Sequence, residues 1–242
     1  MSVAEQVPGD TERMERVLDA AAELLVRWGY RRVTIEDVAR RAGVGKGTVY
    51  LHVRTKDALF LTVLLRSQRR VFADLADRIA AEPENALPWR MSRLLYQRMR
   101  GDDVTRALYL GDVEVLGRLA HEAVGALGEL AALREDVGRR HFELLRDAGL
   151  LVEDLPAEKQ LHAWRSVLFG FFLIDGVPQV RSPAAEEGSG ELIEYAVRRL
   201  LAAPGLAPER EATAAAPVAA EAAGLYRPLI DHIDTEWRRR TR

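Results

Sequence analysis

Apolar side chains recur along this chain at steps of three and four, the spacing of one buried helical face, and the fold class this predicts is all-α. From about residue 10 to 28, Val17, Leu18, Ala21, Leu24, Leu25 and Trp28 form one stripe that Gly29 closes. Residues 1 to 9, polar and broken by Pro8 and Gly9, predict a disordered arm. Thr34, followed three residues later by Asp37, has the signature of a capping box, in which the hydroxyl takes an orphan amide and the acid reaches back to the cap. A short helix starts there, with Ile35, Val38, Ala39 and Ala42 on its buried face and Gly43 as the left-handed residue that ends it. After the turn Gly43-Val44-Gly45, a second short helix runs from Lys46 to about Val53, with Gly45 as its cap and Val49 and Val53 inward. The pair is a helix-turn-helix.

The pattern then lengthens. Past Thr55 an amphipathic helix to about residue 81 carries Ala58, Leu59, Leu61, Val63, Leu64, Leu65, Phe72, Leu75 and Ile79, long enough to act as a lever between two domains. Pro83 breaks it, and Pro88 opens a helix from about 87 to 100 with Trp89, Leu94, Leu95 and Met99 inward. Residues 105 to 121 and 124 to 150 read as two further helices. Gly111 and Gly117 in the first permit either close helix crossing or room for a ligand. Pro156 begins a helix to Gly176 whose second half is apolar on every side and has to be covered by a domain core or a partner subunit. Residues 181 to 190 predict a loop, after which Leu192, Ile193, Ala196, Val197, Leu200 and Leu201 make a stripe opposite Arg198 and Arg199. Residues 202 to 224, rich in Ala, Pro and Glu, predict a linker with at most frayed helix. Pro228 opens a last helix with Leu229, Ile230, Ile233 and Trp237 on one face. Its terminal arginines either complement the helix end or touch DNA or a partner.

The outer face of the helix-turn-helix carries the chemistry. With Val44, Val49 and Val53 turned to the core, the second helix exposes Lys46, Gly47, Thr48, Tyr50, Leu51 and His52, donors and apolar tips that suit base edges and thymine methyls in a major groove. Gly47 costs about 1 kcal/mol of helix stability against Ala and lets the helix start lie close to a backbone. Lys56 stands behind the cap Thr55, where the macrodipole disfavours a cation, and a phosphate bound at that helix start accounts for it. Arg31 and Arg32 lie beside Thr34, either against phosphate or solvated. Net charge changes the picture only locally. The chain as a whole stands at -2, yet between residues 27 and 56 eight Lys and Arg face only Glu36 and Asp37.

These residues resemble the TetR-type repressors: Trp28-Gly29-Tyr30, the run Val33 to Ala39, Ala42-Gly43-Val44, the run Gly45 to Tyr50 and the run His52 to Leu59, over about the first sixty residues without a gap. The resemblance implies an N-terminal three-helix DNA-binding domain at 10–56, a larger helical ligand-binding and dimerisation domain at 57–203, and a C-terminal extension at 204–242. It implies a homodimer on palindromic operator double-stranded DNA, released by a small-molecule effector. Thr34, Lys46, Thr48, Tyr50, His52 and Lys56 fall on operator-contacting positions, with Gly47 permitting the close approach. Phe171, Phe172, Leu192, Ile193, Ala196 and Leu200 fall on the pair of helices that forms the family's four-helix dimer interface. Gly45 departs from the usual serine cap, and Val53 stands where phenylalanine is commoner.

An effector pocket, mostly apolar with a few placed polar groups, draws on Trp89, Tyr96, Met99, Tyr109, His121, Phe142, Trp164 and Phe169, each of which also reads as plain core. No nucleophile with its base, phosphate loop or cofactor motif stands at a mechanical spacing, so a non-enzyme without cofactor is expected. His121, His141 and His162 lie on separate helices and suit ordinary polar contacts better than a metal. The absence of cysteine, of a secretory signal and of an apolar run near 20 residues predicts a cytoplasmic protein without membrane spans. The second reading is a helical small-molecule or protein binding module whose N-terminal motif does not serve DNA.

Overall fold

Helix boundaries in the N-terminal part follow from caps. The computed structural model describes residues 8–109, 113–176 and 188–240. Helix α1 (Pro8–Trp28) ends at Gly29, whose φ of 74° is left-handed. The Thr34 hydroxyl accepts from the Asp37 amide at 3.2 Å and Asp37 Oδ2 accepts from the Thr34 amide at 3.1 Å, so both halves of the capping box open α2 (Ile35–Ala42). Gly43, at φ 68°, closes it, and the Val44 amide returns to the Ala39 carbonyl at 3.0 Å. Helix α3 (Lys46–His52) starts at Gly45 without a side-chain cap, and α4 (Lys56–Ala81) starts where Thr55 Oγ1 accepts from the Ala58 amide at 2.9 Å.

The chain divides into two compact units. One holds residues 1–68, 103–128 and 232–242, the other 69–102 and 129–231. The division within α4 falls at Gln68 rather than at residue 56, because every side chain from Leu59 to Leu65 is buried and a boundary before that stretch would cut through packed core. In the first unit the α1 stripe of Met14, Val17, Leu18, Ala21, Leu24 and Leu25 is buried, and α2 and α3 pack on it through Ile35, Val38, Ala39 and Val49. Trp28, expected in the stripe, is 40% exposed: it is the last helical residue, past the neighbours that would cover it. Tyr30 and Phe60 meet at 5.1 Å, and Arg66 bridges Glu15 (2.9 Å) and Asp19 (2.8 Å), fixing α4 to α1. Helix α6 (Asp103–Tyr109) also packs on α1.

The second unit is built around α5 (Pro88–Gly101), flanked by α8 (Ala157–Gly176) and α9 (Ser189–Leu201). Helix α7 (Val113–Asp147) is continuous where two helices divided near residues 122 and 123 were expected, since Glu122 and Ala123 are good helix formers and carry no stop signal. Gly111, one of the two glycines noted there, lies outside the described residues, while Gly117 is within α7. The loop expected at 181 to 190 is described only from residue 188, and Ser189 and Gly190 already belong to α9.

The larger correction concerns the expected linker. Residues 211–224 form α10 (Glu211–Gly224), with Ala215, Ala219 and Ala222 buried against the 3-10 turn Pro83–Ala86, and α11 (Arg227–Arg240) follows directly. Alanines carry little hydrophobic contrast, so the pattern misses a helix whose small face permits close packing. Its docking is polar as well as apolar. Glu211, 1% exposed, accepts from Trp89 Nε1 (3.0 Å), Arg90 Nε (3.0 Å) and Arg198 Nε (2.8 Å), tying α10 to α5 and α9. Among the described residues there is no strand, only a bridge between Leu151 and Ala202, and no helix is long and apolar enough to cross a membrane.

Candidate nucleic-acid interface

The interface is built on one buried residue. Val49 is fully enclosed and Val53, the C-terminal cap, nearly so, which anchors the inner side of α3 and turns its remaining side chains outward. Lys46 and Gly47 are exposed, Thr48 and His52 half-buried, Tyr50 44% exposed and Leu51 77% exposed. Val44, expected in the core, is only half-buried, as its place in the turn between the two helices leaves one side open. A Cβ added at Gly47 would meet nothing within 4 Å, so the glycine is not required by packing inside the chain. An exposed helix start that gives up about 1 kcal/mol for no internal reason suits the approach of another molecule.

Thr34 is bound to its own cap: besides accepting the Asp37 amide, its hydroxyl donates to Asp37 Oδ2 at 2.6 Å, and this holds the Asp37 carboxyl below the usual range. Lys56 rests with Nζ 4.2 Å from the centre of the Tyr30 ring and 3.4 Å from the Arg31 carbonyl, which accepts from it. These contacts offset the unfavourable position of a cation at a helix start, so the lysine has an internal support as well as an accessible end. Neither Tyr50 nor Lys56 is occluded in the interior.

Four of the eight local cations meet a carboxylate. Arg41 and Arg27 share Glu23 (2.6 and 3.5 Å), Arg40 binds Asp37, and Lys46 binds Glu36. Lys46 hydrogen-bonding depresses the Glu36 carboxyl below its ordinary value and Glu36 in turn raises the ammonium of Lys46. Glu36 was not among the residues expected at the site. The signal was present, since a lysine at the first position of a short helix calls for a neutralising acid nearby.

Of the residues expected at an effector pocket, all those described lie in the second unit. Trp89, Tyr96, Phe142 and Trp164 are buried, Met99 is half-buried, and Phe169 is exposed, so it sits on a surface rather than in a cavity wall of the single chain. Trp164 donates to Ser92 Oγ at 2.7 Å and packs 5.7 Å from Phe142, while Tyr96 donates to the buried Asp175. The side chains of Tyr109 and His121 lie outside the described residues. His141 is buried with Nε2 2.8 Å from the Ala86 carbonyl and Nδ1 2.8 Å from the Tyr226 hydroxyl. A carbonyl only accepts, so Nε2 carries the proton and Tyr226 donates to Nδ1, and burial pushes the imidazole down to about 4. His162 is exposed, apart from this pair. Of the expected dimer positions, Phe172 on α8 and Ile193 on α9 are fully buried within the single chain. Leu192 and Leu200 are exposed, and Phe171 and Ala196 are half-buried.

An all-helical chain with a capped helix-turn-helix and a solvent-facing second helix belongs to the class of helix-turn-helix proteins. Residues 17–63 match the model of the bacterial regulatory proteins of the tetR family, so the N-terminal part of the chain is similar to that family's DNA-binding region. It is similar to the HTH-type transcriptional repressor KstR of Mycolicibacterium smegmatis, with 30% identity over 116 residues covering 46% of this chain and 57% of the relative. The chain thus spans little more than half the length of that relative. Among solved structures it resembles the fatty acid degradation regulator FadR from Bacillus halodurans, with TM-score 0.60 and 14% identity over 84% of this chain and 98% of that one. It also resembles SmeT, the repressor of the Stenotrophomonas maltophilia efflux pump SmeDEF, in its triclosan complex, with TM-score 0.58 and 20% identity over 80% and 93%. At these identities the structural likeness establishes the fold.

Proposed function

We propose that the chain is a repressor that binds palindromic operator DNA as a homodimer and leaves it when a partly apolar small molecule occupies the second unit. The observation that carries this reading is the outward face of α3, where Lys46, Gly47, Thr48, Tyr50 and His52 stand together on a buried Val49 within the region that matches the family. Thr34 contributes by holding the start of α2, and Lys56 by meeting the phosphate backbone. Dimerisation is supported by apolar side chains left exposed on two neighbouring helices of one unit: Phe169, Leu173 and Ile174 on α8, Leu192, Tyr195 and Leu200 on α9. Covering each contributes roughly 1.5 to 3 kcal/mol before association costs. Two reading heads then sit about 34 to 36 Å apart, or a multiple of it, along the DNA. The effector reading is supported by the aromatic side chains gathered in the second unit, Trp89, Tyr96, Phe142 and Trp164, and by the triclosan bound to SmeT.

A salt series on DNA binding tests the proposal. Lys56→Ala should weaken binding across sequences and flatten the salt slope by about one ion. Binding without salt dependence, or no DNA binding, favours the helical binding module instead. Sedimentation of the full chain, with a Leu192→Glu variant that should shift it to monomer, tests the dimer.

A further inference from the structure

Helix α3 contains a single Lys or Arg, Lys46, and it occupies the first helical position, where the backbone amides disfavour a cation. Glu36 on α2 neutralises it: the two side chains form an ion pair, with Lys46 Nζ 5.6 Å from the centre of the Tyr50 ring. Both side chains of the pair are about half exposed, at 51% and 52%. Other ion pairs of the head join or brace helices: Arg41 and Glu23 link α2 to α1, Arg66 with Glu15 and Asp19 links α4 to α1, and Arg40 with Asp37 lies within α2. Glu36 is not needed to open α2, since Thr34 and Asp37 complete that cap. Its partner is instead a residue of the outward face.

Resting on the DNA-binding reading above, we infer that Glu36 is a specificity-determining residue, which withholds the Lys46 charge from DNA of arbitrary sequence. Binding to random DNA is driven by phosphate neutralisation and counterion release. To join it, Lys46 has to leave Glu36, and the uncovered carboxylate then faces a polyanion. A single phosphate oxygen replaces the lost partner poorly. A guanine, which offers O6 and N7 together, replaces it well, and the contacts of Thr48, Tyr50 and His52 do not draw on this charge. The ion pair therefore penalises random sequence more than the operator.

The test uses the full chain and its Glu36→Gln variant. Two duplexes serve as probes, one of random sequence and one selected by the wild type from a random pool, each titrated over a salt series. The variant should bind the random duplex about three- to tenfold more tightly with a salt slope steeper by about one, while binding to the selected duplex changes less than about twofold. In a Lys46→Gln background the same substitution should leave the slope unchanged. An unaltered slope and ratio in Glu36→Gln, or an equal gain in the Lys46→Gln background, overturns the role of Glu36 while leaving DNA binding intact. A wild-type chain that binds neither duplex overturns the DNA-binding reading and this inference together.

Discussion

Glu36 and Glu211 each hold a cation, in opposite surroundings. Glu36 meets one lysine at the surface of the reading head, half in water, where an ion pair has little net strength and can be exchanged for another partner. Glu211 is enclosed and gathers two arginines and an indole N–H from two other helices, so no exchange is open to it without exposing the unit. The same carboxylate chemistry is switchable in one place and structural in the other, and burial is what separates them.

The largest effect expected from that contrast is on stability. Glu211→Gln removes the charge but keeps the shape, leaving Arg198 without its carboxylate partner and Arg90 with Glu194 as its remaining acid. Because both arginines are about one third exposed, the loss should fall near the low end for broken buried pairs, about 3 kcal/mol, or on the order of 10 °C in thermal midpoint. A melting curve checks it, and an unchanged midpoint would make Glu211 as dispensable as a surface acid. Glu36→Gln in the same assay should move the midpoint by no more than about 1 kcal/mol equivalent.

Acid should separate the two regions next. The imidazole of His141 is held down to about 4 in the fold against an ordinary 6.5, so the unfolded chain takes the proton first. Stability is therefore full above about 6.5, falls as the pH drops from there toward 4, and levels off below, with an upper bound of about 3 kcal/mol. The Glu36 carboxyl, held below its ordinary value by Lys46, contributes little to this window, since it takes up its proton only toward more acid pH. Denaturation midpoints measured across the window should fall in the wild type and stay flatter in His141→Gln.

The smallest effect concerns the reading head alone. Gly47→Ala places its methyl in open space, so it should stabilise α3 by up to about 1 kcal/mol while weakening DNA binding, because the methyl occupies the surface proposed to approach the groove. A variant both more stable and equally good at binding would show that Gly47 does not serve close approach to DNA.

What was legible in the sequence follows from where the determinants are local. Thr34, Asp37 and Gly43 set both ends of α2, and Thr55 the start of α4, through hydrogen bonds between residues close in sequence, and so the head could be read directly. Trp28 shows the limit, since a stripe continued by periodicity does not say where its cover ends. Helix α10 was hidden for a related reason. A run of alanines with Pro217 inside it resembles a linker until Glu211 is seen closing on Trp89, Arg90 and Arg198.

The sequence by itself determined the helical class, the capped turn of the reading head and the side chains available on its outer face, because caps and short helical periods are decided within a few residues. Only the tertiary structure decided which charges are already paired, that Lys46 leans on Glu36 and Lys56 on Tyr30, and that the C-terminal segment is a docked helix. Those outcomes depend on residues brought together from 10 to more than 100 positions apart, and a distance of that kind has no period along the chain.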